Sequence, residues 1–326
     1  MYKSFIVVLV LVLILSVQFA TAAEEKVPQK NGIVLAMFGT TVEPALQGLL
    51  NIKDKMEAAY PNTPVRIAFT SNIIRKIWQR RAADPAYVKA HPEVPYEILH
   101  AQGPLATIAN FQDDGFTNIV VQPTHIAPAE EFLDLKTYVD TLASIKTIKA
   151  KFKPFNKLVI GRPMLGTFGD SHPYDKDIEV AAKAMKEDID RAKKAGAALV
   201  YMGHGNDYFP SGGSYLQFQH VMQETYPEVT TLVGTVEGYP PFDQVLEVLK
   251  EKGIKKIVIR AFMIVAGDHA TNDMAGSEDD SWKSMLEKAG ISVAPYLHGM
   301  GENNKVADIY VDHAAQAAAD AGIELK

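Results

Sequence analysis

Short apolar runs alternate with longer amphipathic segments from residue 31 to the end of the chain. Eight of the runs are rich in β-branched and aliphatic residues and are apolar on both faces, which is typical of buried parallel strands. The eight runs are Ile33–Phe38, Val65–Phe69, Asn118–Gln122, Lys157–Gly161, Ala198–Met202, Thr230–Gly234, Lys256–Ala261 and Ile291–Pro295. The pattern therefore predicts an α/β fold built from eight strand-and-helix units.

The segments between the runs carry apolar residues at helical spacing. The predicted helices are Ala45–Ala59, Ser71–Arg81, Pro104–Asp113, Ala129–Ala150, Asp175–Ala195, Pro240–Glu251, Asp280–Ala289 and Asn304–Ala321. Eight such units can either close into one barrel or form two open sheets of four strands.

An internal repeat favours two open sheets. The order of motifs restarts after the helix at 175–195: Leu35–Thr40 is similar to Val200–Gly205, and about 32 residues separate the first and second strands of each half. We therefore expect two similar Rossmann-like domains, at residues 31–165 and 166–302, each a four-stranded parallel sheet flanked by helices. The active site is expected in the cleft between them, and the last helix, within 303–326, is expected to pack back on the first domain.

The first half also carries an insertion, Arg81–Gly103, that has no counterpart in the second half. It contains prolines and histidines and is longer than a usual connection between a helix and a strand. We expect it to form a rim of the cleft or a contact surface.

The first 23 residues have the composition of a cleavable signal peptide. Lys3 supplies a positive charge, Phe5–Val17 is apolar, and Ala20–Ala23 is a run of small residues suited to a signal peptidase. The apolar run is short for a membrane span, although an uncleaved N-terminal anchor remains the alternative. The sequence predicts a periplasmic protein with no membrane contact after cleavage.

Composition narrows the class of protein further. The chain has no cysteine, which excludes disulfides and a lipoprotein-type signal, and its 47% hydrophobic and 22% charged residues are typical of a globular protein. The formal net charge is -6 and no dense basic block is present, so nucleic acid is not an expected partner.

Three potential metal ligands follow three of the predicted strands in the second half. His204, Glu237 and His269 are 33 and 32 residues apart, so the chain returns to the same edge of one sheet before each of them. In α/β proteins ligands are held at this edge. Two imidazoles and one carboxylate suit divalent first-row metals such as Co²⁺, Fe²⁺, Ni²⁺ and Zn²⁺.

Each ligand has an ordinary alternative when taken alone. A single histidine after a strand is more often a loop residue, and Glu237 is placed to lie near the start of the predicted helix Pro240–Glu251. Three such residues at matched positions favour a metal site. Asp268, Asn272 and Asp273 are candidates to orient His269 through hydrogen bonds.

Several longer strings extend this picture over nearly the whole mature chain. They are Met202–Gly205, Val236–Pro240, Ala266–Ala275, Asp280–Lys283 and Gly299–Asn303 in the second half, and Met37–Thr40, Phe69–Lys76 and Gln122–Ile126 in the first. With these strings the chain resembles the anaerobic sirohydrochlorin cobaltochelatase family. The string around Gly267-Asp268-His269-Ala270 is long and specific, whereas the family tends to have serine where Thr41 stands here.

The resemblance implies a type II, ATP-independent chelatase of two Rossmann-like domains. It implies that His204, Glu237 and His269 bind the metal and carry the catalysis. Its substrates would be sirohydrochlorin and a divalent metal, Co²⁺ or also Fe²⁺, and no organic cofactor would be required. A noncovalent haem would leave no local signature in the sequence.

Insertion of a metal removes two pyrrole protons, so the site needs a base as well as ligands. We expect His204 and His269 to present the metal and one of them to accept a proton, and Glu237 to balance charge or relay the second proton. Both roles require neutral imidazole.

Five further residues are candidate substrate contacts. Arg75 and Lys76 follow the predicted strand Val65–Phe69 and are expected to bind carboxylates of the tetrapyrrole. Tyr239 and Met263 are either part of the core or line the macrocycle. His125 is either a cleft residue or a packed one.

Two neighbouring features complete the candidate cleft. The residues Ile73, Ile74, Ile77 and Trp78 are expected to form the buried side of the helix that carries Arg75. Glu131 occupies the position in the first half that corresponds to His269, so one catalytic cleft is expected rather than two. The remaining histidines, His91, His100, His172, His220, His298 and His313, are assigned surface or packing roles.

Two other functions use the same residues. A periplasmic metal- or tetrapyrrole-binding protein that captures or delivers its ligand needs the same three metal ligands, and export favours it. A solute-binding receptor with a cleft between two domains is a third reading. The physiological metal and the oligomeric state, a homo-oligomer included, stay open.

Overall fold

The computed structural model describes residues 30–169, 171–208 and 210–326. The predicted signal peptide, residues 1–23, lies outside these residues. Within the described part of the chain, no helix has both the length and the apolar character needed to cross a membrane.

Eight strands form two four-stranded parallel sheets, as the sequence predicts. The strands are β1 (Lys30–Met37), β2 (Val65–Phe69), β3 (Phe116–Pro123), β4 (Lys157–Ile160), β5 (Ala198–Asn206), β6 (Thr231–Gly238), β7 (Lys256–Phe262) and β8 (Ser292–Tyr296). Their order is β2-β1-β3-β4 in one sheet and β6-β5-β7-β8 in the other, so both halves have the same topology. This arrangement excludes the closed barrel.

Twelve α-helices lie in the described residues. They are α1 (Leu46–Ala59), α2 (Asn72–Ala82), α3 (Pro85–Ala90), α4 (Tyr96–Leu99), α5 (Pro104–Asp113), α6 (Glu130–Ala143), α7 (Tyr174–Ala184), α8 (Lys186–Ala195), α9 (Pro210–Thr225), α10 (Phe242–Glu251), α11 (Trp282–Lys288) and α12 (Asn304–Asp320). Short 3-10 turns at Glu43–Ala45, Ala150–Phe152 and Met300–Glu302 and a π-helical turn at Ala270–Met274 complete the described elements.

Two predicted helices differ from those in the structure: one is divided into two, and the other ends earlier. The single helix expected over 175–195 is two helices that meet at Met185, where the amide of Asn303 donates to the carbonyl of Ala184 at 2.9 Å. Helix α6 ends at Ala143 because the hydroxyl of Ser144 donates to the carbonyl of Thr141 at 2.7 Å, which competes with continuation of the helix.

Strands β5 and β6 are longer than predicted, so His204 and Glu237 lie on strands rather than in loops. Gly205 and Gly238 have φ of 73° and 74°, a conformation that glycine adopts without strain. A Cβ atom at Gly205 would lie 1.9 Å from the carbonyl oxygen of Glu237. Only glycine therefore allows the two strand ends to remain paired beside His204.

One continuous core joins the two halves. It includes Ile33 and Leu35 of the first sheet, Tyr201 and Phe262 of the second, and Tyr310 of α12, all of them fully buried. Helix α12 lies against α1, and the ammonium of Lys157 at the start of β4 donates to the carbonyl of Gly322 at 2.7 Å. The C-terminal helix thus ties the second half of the chain to the first.

A buried ion pair stabilises this junction. Arg162, which follows β4, binds Asp177 of α7 through two hydrogen bonds of 2.6 and 2.7 Å, and His313 of α12 lies 3.2 Å from the same carboxylate. Burial opposes ionisation of Asp177, but the hydrogen bonds and charges of Arg162 and His313 outweigh it and lower the pKa of this carboxyl.

Candidate functional site

Two predicted metal ligands come together at the carboxyl edge of the second sheet. His204 lies near the end of β5, and His269 follows β7, which pairs with β5 in the sheet. Their rings lie edge to face, with centroids 4.9 Å apart and planes at 85°. The parallel register of β5 and β7 therefore places two imidazoles side by side.

Hydrogen bonds at Nδ1 of both histidines leave Nε2 available to bind a ligand. Nδ1 of His204 lies 2.7 Å from the carbonyl oxygen of Gly205, and a carbonyl can only accept, so this Nδ1 carries the proton. Nδ1 of His269 is paired with the carboxylate of Asp273. In each neutral ring Nε2 then holds the lone pair, which is the form that a metal binds.

Of the three residues expected to orient His269, Asp273 contacts it. The π-helical turn Ala270–Met274 puts Asp273 four residues beyond His269, on the same side of the turn. Asp268 instead accepts a hydrogen bond of 2.7 Å from the amide of Asn272.

Glu237 is placed differently from the two histidines. It is exposed at the end of β6, and its partner across the strand pair is Gly205 rather than His204. In the described part of the chain, the one trio of His and carboxylate side chains with ligand atoms all within 4.8 Å of one another is a different one, Glu43, His91 and Glu93. The ligand atoms of His204, Glu237 and His269 are therefore not all within 4.8 Å of one another.

A cavity of about 410 Å³ opens over the two histidines. Its walls come from both sheets: the segment Phe38–Val42 after β1, the segment Thr124–Ala127 after β3, and Phe262–Val265 after β7. A volume of this size is usual for a ligand site. The site therefore lies between the two halves, as the sequence predicts.

His125 lines the cavity, and its imidazole nitrogens are buried without a hydrogen-bond partner in the described structure. Burial lowers the pKa of His125 to about 4, so the ring is neutral near pH 7. A buried polar group without a partner costs about 1–3 kcal/mol. A ligand in the cavity with both a donor and an acceptor would remove this cost.

Glu131 and Tyr215 also line the cavity, and neither was predicted as a site residue. Glu131 lies in the first turn of α6, and the internal repeat indicates it only as the counterpart of His269. Tyr215 is buried on α9, and burial raises its pKa to about 12, helped by the negative charge of Glu131 and opposed by a hydrogen bond with the backbone of Gly205. The internal repeat was the one feature of the sequence that indicated Glu131.

Helix α2 contributes an apolar wall. Ile73, Ile74 and Ile77 line the cavity, and the side chain of Ile73 is 73% exposed. The expectation that these isoleucines form the buried side of α2 is therefore wrong for Ile73, whereas Trp78 is fully buried. This face of α2 borders the cleft, so Ile73 stays exposed there.

The predicted cationic contacts lie outside the cavity lining. The guanidinium of Arg75 donates to the carbonyls of Phe69 and Thr70 and to the side chain of Asn72, which fixes the turn between β2 and α2. Burial lowers the pKa of Arg75. Lys76 is exposed on the same helix. Their contact with substrate carboxylates stays a prediction.

Of the two substrate contacts predicted in the second half, one lines the cavity and the other does not. Met263 lines the cavity directly after β7. Tyr239 is partly buried outside the lining, where its carbonyl lies against Gly212 of α9.

One family model and two known proteins match most of the chain. The family model described as Cobalt chelatase (CbiK) matches residues 31–319. The Sirohydrochlorin cobaltochelatase CbiKC of Nitratidesulfovibrio vulgaris is 30% identical over 289 residues, which cover 88% of this chain and 90% of that protein. The Sirohydrochlorin cobaltochelatase of Salmonella typhimurium is 28% identical over 290 residues, which cover 88% of this chain and 96% of that protein.

Solved structures share the fold at low sequence identity. SirB from Bacillus subtilis with Fe³⁺ has a TM-score of 0.57 and 14% identity, over 91% of this chain and 100% of its own. The sirohydrochlorin chelatase SirB from Bacillus subtilis subspecies spizizenii, in complex with cobalt, has a TM-score of 0.53 and 15% identity, over the same shares of the two chains.

Proposed function

Because the chain belongs to the Cobalt chelatase (CbiK) family, we propose that it is a sirohydrochlorin cobaltochelatase. The reaction takes Co²⁺ and the metal-free tetrapyrrole and gives the cobalt tetrapyrrole and two protons, without ATP. One observation carries the proposal: His204 and His269 lie together on the floor of a cavity with apolar walls. Fe²⁺ is a second candidate metal, since the same donors accept it.

The metal is proposed to bind Nε2 of His204 and of His269. Support comes from their Nδ1 atoms, which are held by the Gly205 carbonyl and the Asp273 carboxylate. A fixed tautomer keeps the lone pair of each Nε2 available and makes the imidazole a better donor. The cavity beside them is open to a flat ligand, whose pyrrole nitrogens then replace the imidazoles on the metal.

Two protons leave the macrocycle and must be taken up in the cavity. One is proposed to pass to the imidazole that the metal releases, His204 or His269. A carboxylate is the natural acceptor of the second, and Glu131 and Asp268 are the carboxylates that line the described cavity. Glu237 retains its proposed part as a charge-balancing group or relay at the exposed end of β6.

The macrocycle itself is proposed to lie against Ile73, Ile77 and Met263. These apolar side chains suit the face of the ring. His125 is proposed as a substrate contact, because the residue lines the cavity and its ring nitrogens have no hydrogen-bond partner in the described structure.

The proposal is tested with the mature protein, residues 24–326, mixed with sirohydrochlorin and Co²⁺ and followed by visible absorption. We expect metallation faster than in the protein-free mixture and loss of that acceleration in His204→Ala and His269→Ala. His220→Ala is the matched control, since His220 is exposed on α9 and pairs with Glu224 of the same helix. An equal rate of metallation with and without the protein would contradict the proposal that the protein is an enzyme. Tight Co²⁺ or tetrapyrrole binding without acceleration would support a binding and delivery protein instead.

Two further variants separate the carboxylates. If Glu131 takes the second proton, Glu131→Gln lowers the turnover number by about 100-fold or more, the usual contribution of a general base. If Glu237 does so, Glu237→Gln has this effect and Glu131→Gln does not.

Export to the periplasm is proposed from the N-terminal residues alone. The apolar run Phe5–Val17 followed by Ala20–Ala23 supports cleavage after about residue 23. Expression of the full chain followed by mass measurement of the periplasmic product tests this. A product that retains residues 1–23, or that stays with the membrane fraction, would favour an uncleaved anchor.

A further inference from the structure

The insertion between α2 and α5 brings two carboxylates and a histidine together outside the cavity. Nδ1 of His91 lies 2.8 Å from Oε2 of Glu43 and 3.3 Å from Oε1 of Glu93. Glu43 belongs to the 3-10 turn before α1, whereas the other two residues follow α3. Residues about 50 positions apart in the chain thus meet at one point.

The spacing of these atoms is that of ligands around one small cation. First-row metals bind imidazole nitrogen and carboxylate oxygen at about 2.0–2.2 Å, which places neighbouring ligand atoms about 2.8–3.6 Å apart. The two distances from Nδ1 of His91 fall within that range, and all three ligand atoms lie within 4.8 Å of one another. No large rearrangement is needed to bind a metal.

The charge of the cluster also favours a cation. Two carboxylates meet here, and among the described residues no Lys or Arg nitrogen lies within 4 Å of either of them. Arg81 of α2 lies over the ring of Tyr87 at 5.2 Å, but it pairs with neither carboxylate: it donates to the carbonyl of Thr41 at 2.7 Å and lies over the ring of Trp78.

The ligand atoms are held in place by neighbours outside the trio. The hydroxyl of Tyr87 donates to Oε1 of Glu43, which leaves Oε2 for His91. The ring of His91 stacks on that of Tyr87, with centroids 4.2 Å apart. Metal-binding carboxylates and imidazoles are commonly oriented in this way. The side chains of His91 and Glu43 are 33% and 25% exposed, so an ion can reach them from solvent.

We propose that Glu43, His91 and Glu93 form a second divalent-metal site, selective for first-row ions such as Co²⁺ and Zn²⁺. It lies beside the cleft, because Thr41 and Val42, directly before Glu43, line the cavity. The site is separate from the pair His204 and His269, and it does not depend on the proposed function.

The experiment removes the cleft ligands first. In the His204→Ala/His269→Ala double variant we expect equilibrium dialysis with Co²⁺ alone, followed by metal analysis, to give one bound ion per chain. Adding His91→Ala or Glu93→Gln is expected to weaken this binding more than tenfold. Glu93 is largely exposed, so its replacement leaves folding intact, and thermal unfolding of the metal-free variants checks this.

The insertion supplies a matched control. His100 follows the next short helix, and its ring lies 4.1 Å from that of Tyr96 at a tilt of 40°, but it has no carboxylate cluster around it in the described structure. His100→Ala is expected to leave Co²⁺ binding unchanged. The proposal is overturned if the double variant binds no Co²⁺, or if His91→Ala and His100→Ala bind it equally.

Discussion

The imidazoles of His204 and His269 meet edge to face, with ring centroids 4.9 Å apart. Each is fixed by a hydrogen bond at Nδ1, one to a backbone carbonyl and the other to a carboxylate. Because both bonds are made by residues of the same local segment as the histidine, the pair is preorganised before any ligand arrives. A metal then meets two Nε2 atoms without a rearrangement of the backbone.

Asp273 should govern the metal affinity of this pair. We expect Asp273→Asn to raise the Michaelis constant for Co²⁺ by about 10- to 100-fold, because the imidazole of His269 loses the carboxylate that fixes its tautomer and strengthens it as a donor. The initial rate of metallation against Co²⁺ concentration measures the effect. Glu224→Gln is the control, since Glu224 pairs in the same i,i+4 way with His220, which is exposed on α9 outside the cavity lining. Similar Michaelis constants for the two variants would contradict this role.

Ile73 should contribute to tetrapyrrole binding without contributing to stability. Its side chain is 73% exposed at the cavity, and covering part of it is worth about 1 kcal/mol. Ile73→Ser is therefore expected to raise the Michaelis constant for sirohydrochlorin about fivefold and to change the free energy of unfolding by less than about 0.5 kcal/mol. Ile148→Ser, at an exposed position outside the cavity lining, should change neither quantity. An unchanged Michaelis constant in Ile73→Ser would remove α2 from the binding wall.

A buried ion pair should dominate the stability of the second half. Asp188 of α8 accepts hydrogen bonds of 2.6 and 2.8 Å from Arg260 of β7, and one of 2.7 Å from the hydroxyl of Tyr201. Asp188→Asn leaves the charge of Arg260 buried without a counter-charge, so we expect a loss of about 3–5 kcal/mol in the free energy of unfolding. Urea unfolding measures it.

The same helix offers a control for that variant. Asp190 pairs with Lys186 at the surface, where an ion pair is worth at most about 1 kcal/mol. If Asp190→Asn costs as much as Asp188→Asn, burial is not the cause of the effect.

His125 should make the protein less stable in acid. Burial lowers its pKa from 6.5 to about 4, so between these values the unfolded chain binds a proton that the folded protein does not. The free energy of unfolding is then expected to fall as the pH drops from about 6.5 to about 4, by up to about 3 kcal/mol from this group. Below pH 4 both states are protonated and the loss from this group is complete.

His125→Phe isolates this contribution. The variant is expected to lose less stability than the wild type over the same pH range, as measured by urea unfolding in steps of pH. His220→Phe, at an exposed histidine, should follow the wild type. Parallel pH curves for His125→Phe and the wild type would show that His125 is not neutral and buried in the folded protein.

Much of the fold follows from the sequence. The eight apolar runs mark the eight strands because a strand covered by helices on both faces is mostly apolar. The repeat between Leu35–Thr40 and Val200–Gly205 predicts the shared strand order of the two sheets. The ends of elements were less predictable: the break at Met185 depends on Asn303, a residue more than 100 positions away.

The candidate site could also be predicted from the sequence only in part. The spacing of His204 and His269 by two strand-and-helix units predicts that they share a sheet edge, and they do. The same spacing predicts Glu237 as a third ligand; it lies exposed at the end of β6 as the register partner of Gly205, and its part in metal binding stays a prediction. Its exact placement depends on strand register, and register is not visible in the spacing.

By itself, then, the sequence determined the alternation of strands and helices, the duplicated topology and the pair of histidines, since each depends on short-range periodicity or on regular returns to one sheet edge. Only the tertiary structure decided that Ile73 lies on the cavity wall, that Glu131 faces the cleft, and that His91 meets Glu43. Those outcomes depend on which surfaces are covered by segments far apart in the chain, and no local pattern encodes that.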